Sequence, residues 1–136
     1  RQYQSMLTHE NTRNKEIIVV DNDEHVISIL RHILERSGYA VRSAIDGYSM
    51  SHFISSKPPP DLVILDSILP KVDGFQLITL IRNQPSWKKT PIVMLTASFS
   101  ENSAVRAFSL GADDYITKPF RPSELLARLK RLLPED

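Results

Sequence analysis

Four polar side chains stand directly after four short apolar segments of the sequence. The pairs of segment and polar residue are 17–20 with Asp21, 62–65 with Asp66, 92–95 with Thr96, and 115–117 with Lys118. If the segments are parallel strands of one sheet, their carboxyl ends lie at one edge, where open α/β sheets bind their ligands. Two carboxylates, a hydroxyl and an ammonium group would then form one small polar site.

The residue types in this set indicate a particular chemistry. Two neighbouring carboxylates repel each other and favour a divalent cation, and Mg²⁺ takes oxygen ligands while keeping water molecules that phosphate oxygens can replace. An Asp carboxylate can itself act as a nucleophile and form an aspartyl-phosphate. Lys118 and the Thr96 hydroxyl would spread the charge of a transferring phosphoryl group, a reaction in which positioning and electrostatics supply most of the catalysis.

Helical segments separate the apolar ones, and this alternation predicts how the site is positioned. We predict strands at residues 17–20, 40–44, 62–65, 92–95 and 115–117, and helices at residues 24–37, 48–55, 74–82, 101–110 and from Pro122 onward. In the first helix, one face at helical spacing carries Val26, Ile29, Leu30, Ile33 and Leu34. Strands that alternate with helices predict a parallel sheet covered on both faces.

Length, charge and composition limit the classes of protein. The 136 residues suit one domain, and 17 Lys and Arg against 16 Asp and Glu do not favour a nucleic acid or membrane partner. The apolar runs are shorter than the roughly 20 residues of a membrane span, no secretory signal is present, and the absence of cysteine excludes disulfides and thiolate chemistry. We expect a cytoplasmic domain over residues 16–134, after a linker or disordered lead-in at residues 1–15.

Several motifs together resemble a known family. Asp21, the segment 66–74 (DSILPKVDG), Thr96-Ala97 and the segment 111–120 (GADDYITKPF) are similar to the receiver domain of two-component response regulators, of the CheY-like superfamily. The resemblance covers residue 16 to about residue 133. It implies a flavodoxin-like, doubly wound α/β fold, with five helices and a five-stranded parallel sheet in the order 2-1-3-4-5.

The same resemblance implies a function in signalling rather than the turnover of an enzyme substrate. Asp66 would be the phosphoacceptor for a sensor histidine kinase or a phosphotransfer protein. Thr96, Lys118 and the backbone of Ala97 would bind the phosphoryl oxygens, with Thr96 and Lys118 assisting the transfer. Tyr115 would be the switch aromatic, which turns inward as Thr96 moves toward the phosphoryl group. The change would alter binding to an effector domain or partner protein, with an allosteric coupling of about 1–3 kcal/mol.

The metal site departs from the family pattern at one position. The resemblance implies that Asp21, Asn22, Asp66 and the backbone carbonyl of Ile68 hold Mg²⁺. Receivers usually have two adjacent acids after the first strand, and this sequence has Asp21-Asn22-Asp23. Because Asn22 offers an amide oxygen without a charge, we expect weaker metal binding and slower phosphorylation. Asp23 compensates if the start of the first helix lets it reach the ion.

Other functions are compatible with parts of the sequence. Because Asn22 replaces an acid, the sequence is also compatible with a pseudo-receiver, which would dock partners without being phosphorylated. A further alternative is the receiver segment of a hybrid histidine kinase. A haloacid-dehalogenase phosphatase would need a second Asp at the position of Ile68, and a flavin carrier would need a phosphate loop after the first strand. No motif identifies the cognate kinase, the output or the oligomeric state.

The last part of the chain carries two further expectations. In some receivers the last helix, the last strand and the preceding helix form a dimer face, so a homodimer is among the expected partners, with Arg128 and Asp114 in that face. Taken singly, Asp113 and Asp114 have the composition of surface turn residues. Basic residues of the last helix are otherwise expected to form its solvated face.

Overall fold

Five strands and five helices alternate along residues 14–133, the part of the chain that this computed structural model describes. The strands are β1 Glu16–Val20, β2 Ala40–Ala44, β3 Leu62–Leu65, β4 Ile92–Thr96 and β5 Asp114–Thr117. The helices are α1 Glu24–Arg36, α2 Gly47–Ser56, α3 Gly74–Asn83, α4 Glu101–Leu110 and α5 Pro122–Leu132. Each predicted element is present, with ends that differ by at most a few residues.

All neighbouring strands of the described sheet are parallel, and their order is β2-β1-β3-β4-β5. The predicted order is confirmed. The register pairs Val20 with Leu65 between β1 and β3, and Leu65 with Met94 between β3 and β4. The carboxyl ends of the strands therefore lie at one edge of the sheet, where β4 extends two residues beyond the pairing of Leu65 with Met94.

Two hydrophobic cores lie on the two faces of the sheet. Residues of β1 alternate between them: Ile18 and Val20 pack toward α2, α3 and α4, whereas Ile17 and Val19 pack toward α1 and α5. Because both faces are covered, β1, β3 and β4 carry consecutive apolar residues, at 17–20, 62–65 and 92–95, rather than an alternating pattern. This two-sided burial holds the ends of the strands, and the residues that follow them, in fixed positions.

Helix α1 buries a face that only partly coincides with the predicted one: Leu30 and Leu34 are buried as predicted, and Ile27 is buried in place of Ile29. The buried residues are Ile27, Leu30 and Leu34, whereas Ile29 is 42% exposed. The apolar side chains left outside line a groove of about 310 Å³, here named the α1 groove, which is formed by Val26, Ile29, Ile33, Lys118, Pro119, Phe120 and Pro122. The sequence pattern failed here because α1 has apolar side chains on two adjacent stripes, and only packing decides between them.

The side chain of Arg82, at the end of α3, ties together the segments at the amino end of β4. Its guanidinium donates hydrogen bonds to the carbonyl of Gly111 at 2.7 and 3.1 Å, of Thr90 at 2.7 Å and of Lys88 at 2.9 Å. It also pairs with the carboxylate of Asp113 at 3.1 Å. These contacts connect α3, the loop before β4 and the turn before β5 at the edge opposite the carboxyl ends.

Most of the predicted lead-in lies outside the described residues, which exclude 1–13 and 134–136. Lys15 is described, and its carbonyl accepts a hydrogen bond from the Ala40 backbone N–H at 2.9 Å. The predicted boundaries at residues 15 and 134 remain predictions. Between residues 14 and 133, no helix has both the length and the apolar composition needed to cross a membrane.

Candidate functional site

The four residues that were predicted to converge lie together at the carboxyl edge of the sheet. Backbone hydrogen bonds between neighbouring strands continue past the strand ends and fix the positions of these residues. The Asp66 N–H donates to the Val20 carbonyl at 3.0 Å, and the Lys118 N–H donates to the Thr96 carbonyl at 3.0 Å. Asp21 is held against β2 in the same way, through the Ala44 carbonyl at 3.1 Å.

Lys118 forms the centre of the site. Its Nζ atom lies 2.8 Å from Oδ2 of Asp21 and 3.0 Å from Oδ2 of Asp66. The three side chains are 17%, 5% and 14% exposed, in that order. One ammonium group therefore bridges two largely buried carboxylates, and the three together carry one net negative charge.

The charge state of Lys118 follows from these contacts. Burial by itself would lower the pKa of the ammonium group, but the hydrogen bonds and charges of Asp21 and Asp66 outweigh it, so the pKa of Lys118 is raised. A raised pKa keeps the side chain protonated at neutral pH. The site therefore presents a fixed positive charge beside two carboxylates, which suits the binding of a phosphoryl group.

The residues after β1 are engaged in local hydrogen bonds. Nδ2 of Asn22 donates to the Ile45 carbonyl at 3.2 Å. Asp23 is the N-cap of α1, where Oδ1 accepts from the His25 N–H at 2.9 Å, and its own N–H donates to Oδ1 of Asp21 at 2.9 Å. The Asp23 carboxylate is thus used to cap α1, which argues against its replacing the missing acid at position 22.

The oxygen atoms of this edge suit a hard cation. Two carboxylates, the amide of Asn22 and the carbonyl of Ile68 are all oxygen ligands of the kind that Mg²⁺ prefers. The Ile68 N–H donates to Oδ1 of Asp66 at 3.3 Å, which keeps the start of this loop next to Asp66. Between residues 14 and 133, no three side chains among His, Asp and Glu are grouped so as to hold a metal. The donor set fits Mg²⁺, with one charge fewer than two adjacent acids would give.

Thr96 is buried at the end of β4 and has a partner that the sequence did not predict. Its Oγ1 atom lies 2.9 Å from Oγ of Ser67 and accepts a hydrogen bond from the Ser98 N–H at 3.1 Å. Ala97, which follows it, is exposed at the start of the loop to α4. The only signal for Ser67 in the sequence is a small polar residue next to Asp66.

Tyr115 connects β5 with the loop after β4. Its hydroxyl donates to the Ser98 carbonyl at 3.1 Å, and its ring packs edge-on against Phe99 at 5.9 Å between centroids. Partial burial, and then the negative charge of Asp66, raise the pKa of the Tyr115 phenol. Tyr115, the predicted switch aromatic, is therefore hydrogen-bonded to the loop that follows Thr96.

The interpretation of Asp114 as a surface turn residue is wrong. Asp114 is the first residue of β5 and is 6% exposed. Its carboxylate receives two hydrogen bonds from Nη1 of Arg128, at 3.0 and 3.1 Å, and one from Arg131 at 3.3 Å. Arg128 therefore binds Asp114 within one chain, and α5 uses part of its basic face to hold β5.

The loop between β3 and α3 fits tightly against the start of α2. A Cβ atom on Gly47 would lie 1.6 Å from the carbonyl oxygen of Val72, and one on Gly74 would lie 2.2 Å from that of Asp66. Neither position has room for a side chain. At its other end the loop is fixed by a capping box between Asp73 and Gln76. The loop that carries Ile68 is thus held at both ends.

Comparison with known proteins agrees with this geometry. The sequence matches the response regulator receiver domain over residues 17–130. The alkaline phosphatase synthesis transcriptional regulatory protein PhoP of Bacillus subtilis is 45% identical over 120 residues, which are 88% of this chain and 49% of that protein. The chain thus spans about half the length of such curated relatives.

Solved structures share the fold over most of the chain. The chemotaxis response regulator CheY4 of Vibrio cholerae is 30% identical with a TM-score of 0.82, covering 89% of this chain and all of that one. The receiver domain of the sensor histidine kinase PA1611 from Pseudomonas aeruginosa, with magnesium coordinated in its active-site cleft, is 27% identical with a TM-score of 0.81, covering 89% and 98%. By fold and by sequence, the chain belongs to the response regulator receiver domains and is a phosphorelay signal receiver of the two-component systems.

Proposed function

We propose that Asp66 accepts a phosphoryl group from the phosphohistidine of a sensor kinase or phosphotransfer protein, with Mg²⁺ bound beside it. The observation that carries this proposal is the bridge from Lys118 to Asp21 and Asp66, at 2.8 and 3.0 Å. It joins the ammonium group of Lys118 and the carboxylates of Asp21 and Asp66 in one hydrogen-bonded group, at the edge where ligands of such sheets bind.

The transfer needs no proton from the protein. An oxygen of the ionised Asp66 carboxylate forms a bond to phosphorus, the phosphorus–nitrogen bond of the donor breaks, and its electron pair stays on the imidazole ring. Lys118 pairs with the oxygens of the phosphoryl group, and the hydroxyl of Thr96 and the N–H of Ala97 donate to them. The chain acts on itself in this reaction and in the later hydrolysis, and turns over no other substrate.

The residues proposed to hold Mg²⁺ are Asp21, Asn22, Asp66 and the carbonyl of Ile68. The ion supplies positive charge next to the phosphoryl oxygens, where charge builds up during the transfer. The uncharged Asn22 lowers the attraction for the ion, so we expect a higher Mg²⁺ concentration to be needed than with two adjacent acids. The chain's own contribution is to fix the two carboxylates, through the Lys118 bridge and the bond from the Asp23 N–H to Asp21.

The direct test is a mass measurement of the intact chain after incubation with acetyl phosphate and Mg²⁺. We expect a gain of one phosphoryl group, which is absent in Asp66→Ala and Asp66→Asn. Glu35→Gln, which removes an exposed carboxylate on α1, is the matched control and keeps the gain. Phosphorylation that persists in Asp66→Asn would contradict the proposal.

The second candidate function is a pseudo-receiver that docks partners without phosphorylation. The observation that favours it is Asn22, which leaves the site with two carboxylates and engages its amide nitrogen with Ile45. The same mass measurement separates the two candidates. No gain in mass with Mg²⁺ or Mn²⁺, in a chain that is folded by circular dichroism, would support the pseudo-receiver.

We propose that the phosphodonor protein docks on the α1 groove. The groove is mostly apolar, and its lining includes Lys118, which contacts Asp66. A helix of the donor seated there would therefore place its phosphohistidine near Asp66. Ile29→Ser removes an apolar contact and should slow transfer from a kinase about 3- to 9-fold, because full burial of such a side chain is worth about 1.5–3 kcal/mol and 42% of it is exposed before docking. Leu80→Ser, at the similar exposure of 41% on α3, is the control. Both variants should react normally with acetyl phosphate.

We propose a second copy of the chain as the partner of α4. Val105 and Phe108 are 57% and 48% exposed on this helix. Phe99, which packs against Tyr115, lies two residues before the helix begins. A change at Tyr115 would therefore reach this surface directly. Sedimentation with and without beryllium fluoride should show a dimer that Phe108→Ser weakens. An effector domain, a partner protein or the transmitter of a hybrid kinase would receive the signal. A cytoplasmic location remains a prediction.

A further inference from the structure

Ser67 has no role in the site as described so far, yet its hydroxyl is placed against the proposed switch residue. Ser67 is 5% and Thr96 is 1% exposed, and their oxygens are 2.9 Å apart. We propose that Ser67 is a positioning residue, which holds the Thr96 hydroxyl in the arrangement of the unphosphorylated chain and so opposes the switch. This inference rests on the proposed function of Asp66 and Thr96.

The Ser67 bond opposes a displacement of Thr96 rather than a new hydrogen bond made by its hydroxyl. The Thr96 hydroxyl has one hydrogen and two lone pairs, and one lone pair already receives the Ser98 N–H. Among the described residues, Ser67 Oγ bonds to Thr96 and to no other group. The second lone pair can accept from Ser67 while the hydrogen donates to a phosphoryl oxygen, so the bond fails only if Thr96 moves away. That movement would leave the Ser67 hydroxyl buried without a partner, which is unfavourable.

Ser67 cannot follow Thr96, because its backbone is fixed from the other side. Its carbonyl accepts a hydrogen bond from the Gly74 N–H at 3.0 Å. At Gly74 the backbones approach so closely that a Cβ atom would lie 2.8 Å from the Cα atom of Ser67. The bond must therefore lengthen when Thr96 moves. Removing the hydroxyl should release Thr96 and favour the phosphorylated arrangement.

The test uses beryllium fluoride with Mg²⁺ as a phosphoryl mimic, and measures its affinity by fluorine NMR titration. Ser67→Ala should bind about 2- to 12-fold more tightly than the wild type, which corresponds to one net hydrogen bond. Ser55→Ala, which removes an exposed hydroxyl from α2, is the matched control and should not change the affinity. If Ser67→Ala does not fold, Ser67→Cys keeps the size but weakens the bond, and the same direction is expected.

A double-mutant cycle tests whether Ser67 acts through Thr96. In a Thr96→Ala background, Ser67→Ala should no longer change the affinity for beryllium fluoride. Equal tightening in both backgrounds would overturn the proposed mechanism, and so would an unchanged or weaker affinity of Ser67→Ala in the wild-type background. If the wild-type chain itself does not bind beryllium fluoride, the proposed function fails and this inference fails with it.

Discussion

The replacement Asn22→Asp has two opposite effects that can be measured on one protein. The side chains of Asp21, Asp66 and Lys118 together carry one negative charge, and the substitution would add a second. It would also remove the hydrogen bond of 3.2 Å from the Asn22 amide to the Ile45 carbonyl. We therefore expect tighter Mg²⁺ binding together with a less stable metal-free chain.

The size of each effect follows from simple electrostatics. Two unit charges 4 Å apart in water attract by about 1 kcal/mol, so a carboxylate beside a divalent ion gains about 2 kcal/mol. That is about 30-fold in affinity, since about 1.4 kcal/mol corresponds to a factor of ten. The hydrogen bond to Ile45 is lost both with and without the ion, so it affects stability rather than affinity. Its net contribution is about 0.5–1.5 kcal/mol, to which repulsion from Asp21 and Asp66 adds.

Isothermal titration with Mg²⁺ and urea unfolding of the metal-free chain measure the two quantities. Asn83→Asp, which adds the same charge at the exposed end of α3, is the control, and we expect little change in its Mg²⁺ affinity. An unchanged affinity of Asn22→Asp would refute the placement of residue 22 at the ion. An equal gain in both variants would show that overall charge, rather than ligation, is responsible.

Three further predictions concern stability and the support of the site. Gly47→Ala should destabilise the chain by about 3 kcal/mol, the upper range for overpacking, and should weaken Mg²⁺ binding by shifting Val72 and its loop. Gly38→Ala is the control, since its backbone is strained at φ 95° but a Cβ atom there meets no other atom. It should cost about 1–2 kcal/mol and leave Mg²⁺ binding unchanged. The carboxylate partners of Lys118 outweigh the effect of burial and raise its pKa. The stabilisation that the charged Lys118 gives to the folded chain should therefore be complete below about pH 10.5, and be lost as the pH rises through the pKa of the folded state. Urea unfolding across that range should show this loss in the wild type and not in Lys118→Met. Asp114→Asn should reduce the free energy of unfolding by about 1–3 kcal/mol, and an unchanged urea midpoint would contradict a stabilising ion pair between the buried Asp114 carboxylate and Arg128.

The position of the site could be predicted because it depends on topology alone. Asp21, Asp66, Thr96 and Lys118 each follow an apolar segment, and parallel strands bring such residues to one edge whatever the details of packing. Their convergence needs only the strand order, which the alternation of helices and strands and the family motifs indicated. The distances of 2.8 and 3.0 Å from Lys118 Nζ to the carboxylates of Asp21 and Asp66 show that these residues do converge.

Features that depend on packing between elements could not be predicted in the same way. Ser67 and Thr96 are 29 residues apart, and a lone serine gives no sign of which hydroxyl it will meet. Asp114 has the composition of a turn residue, and only the docking of α5 supplies its partner Arg128. Helix α1 could bury either of two apolar stripes, so the exposure of Ile29 was decided by the sheet beneath it. The roles of the site residues themselves remain predictions.

The hydrogen bonds of Arg82 hold one end of β4 more firmly than the other. At the amino end of β4, one guanidinium holds three backbone carbonyls and the carboxylate of Asp113, whereas the opposite end is bordered by the exposed residues 97–100. If residues 97–100 move, the segments held by Arg82 at the amino end of β4 would not slide with them. Helix α4 would therefore pivot about its attachment near Gly111, so that the largest movement falls on its first turn, farthest from the anchor.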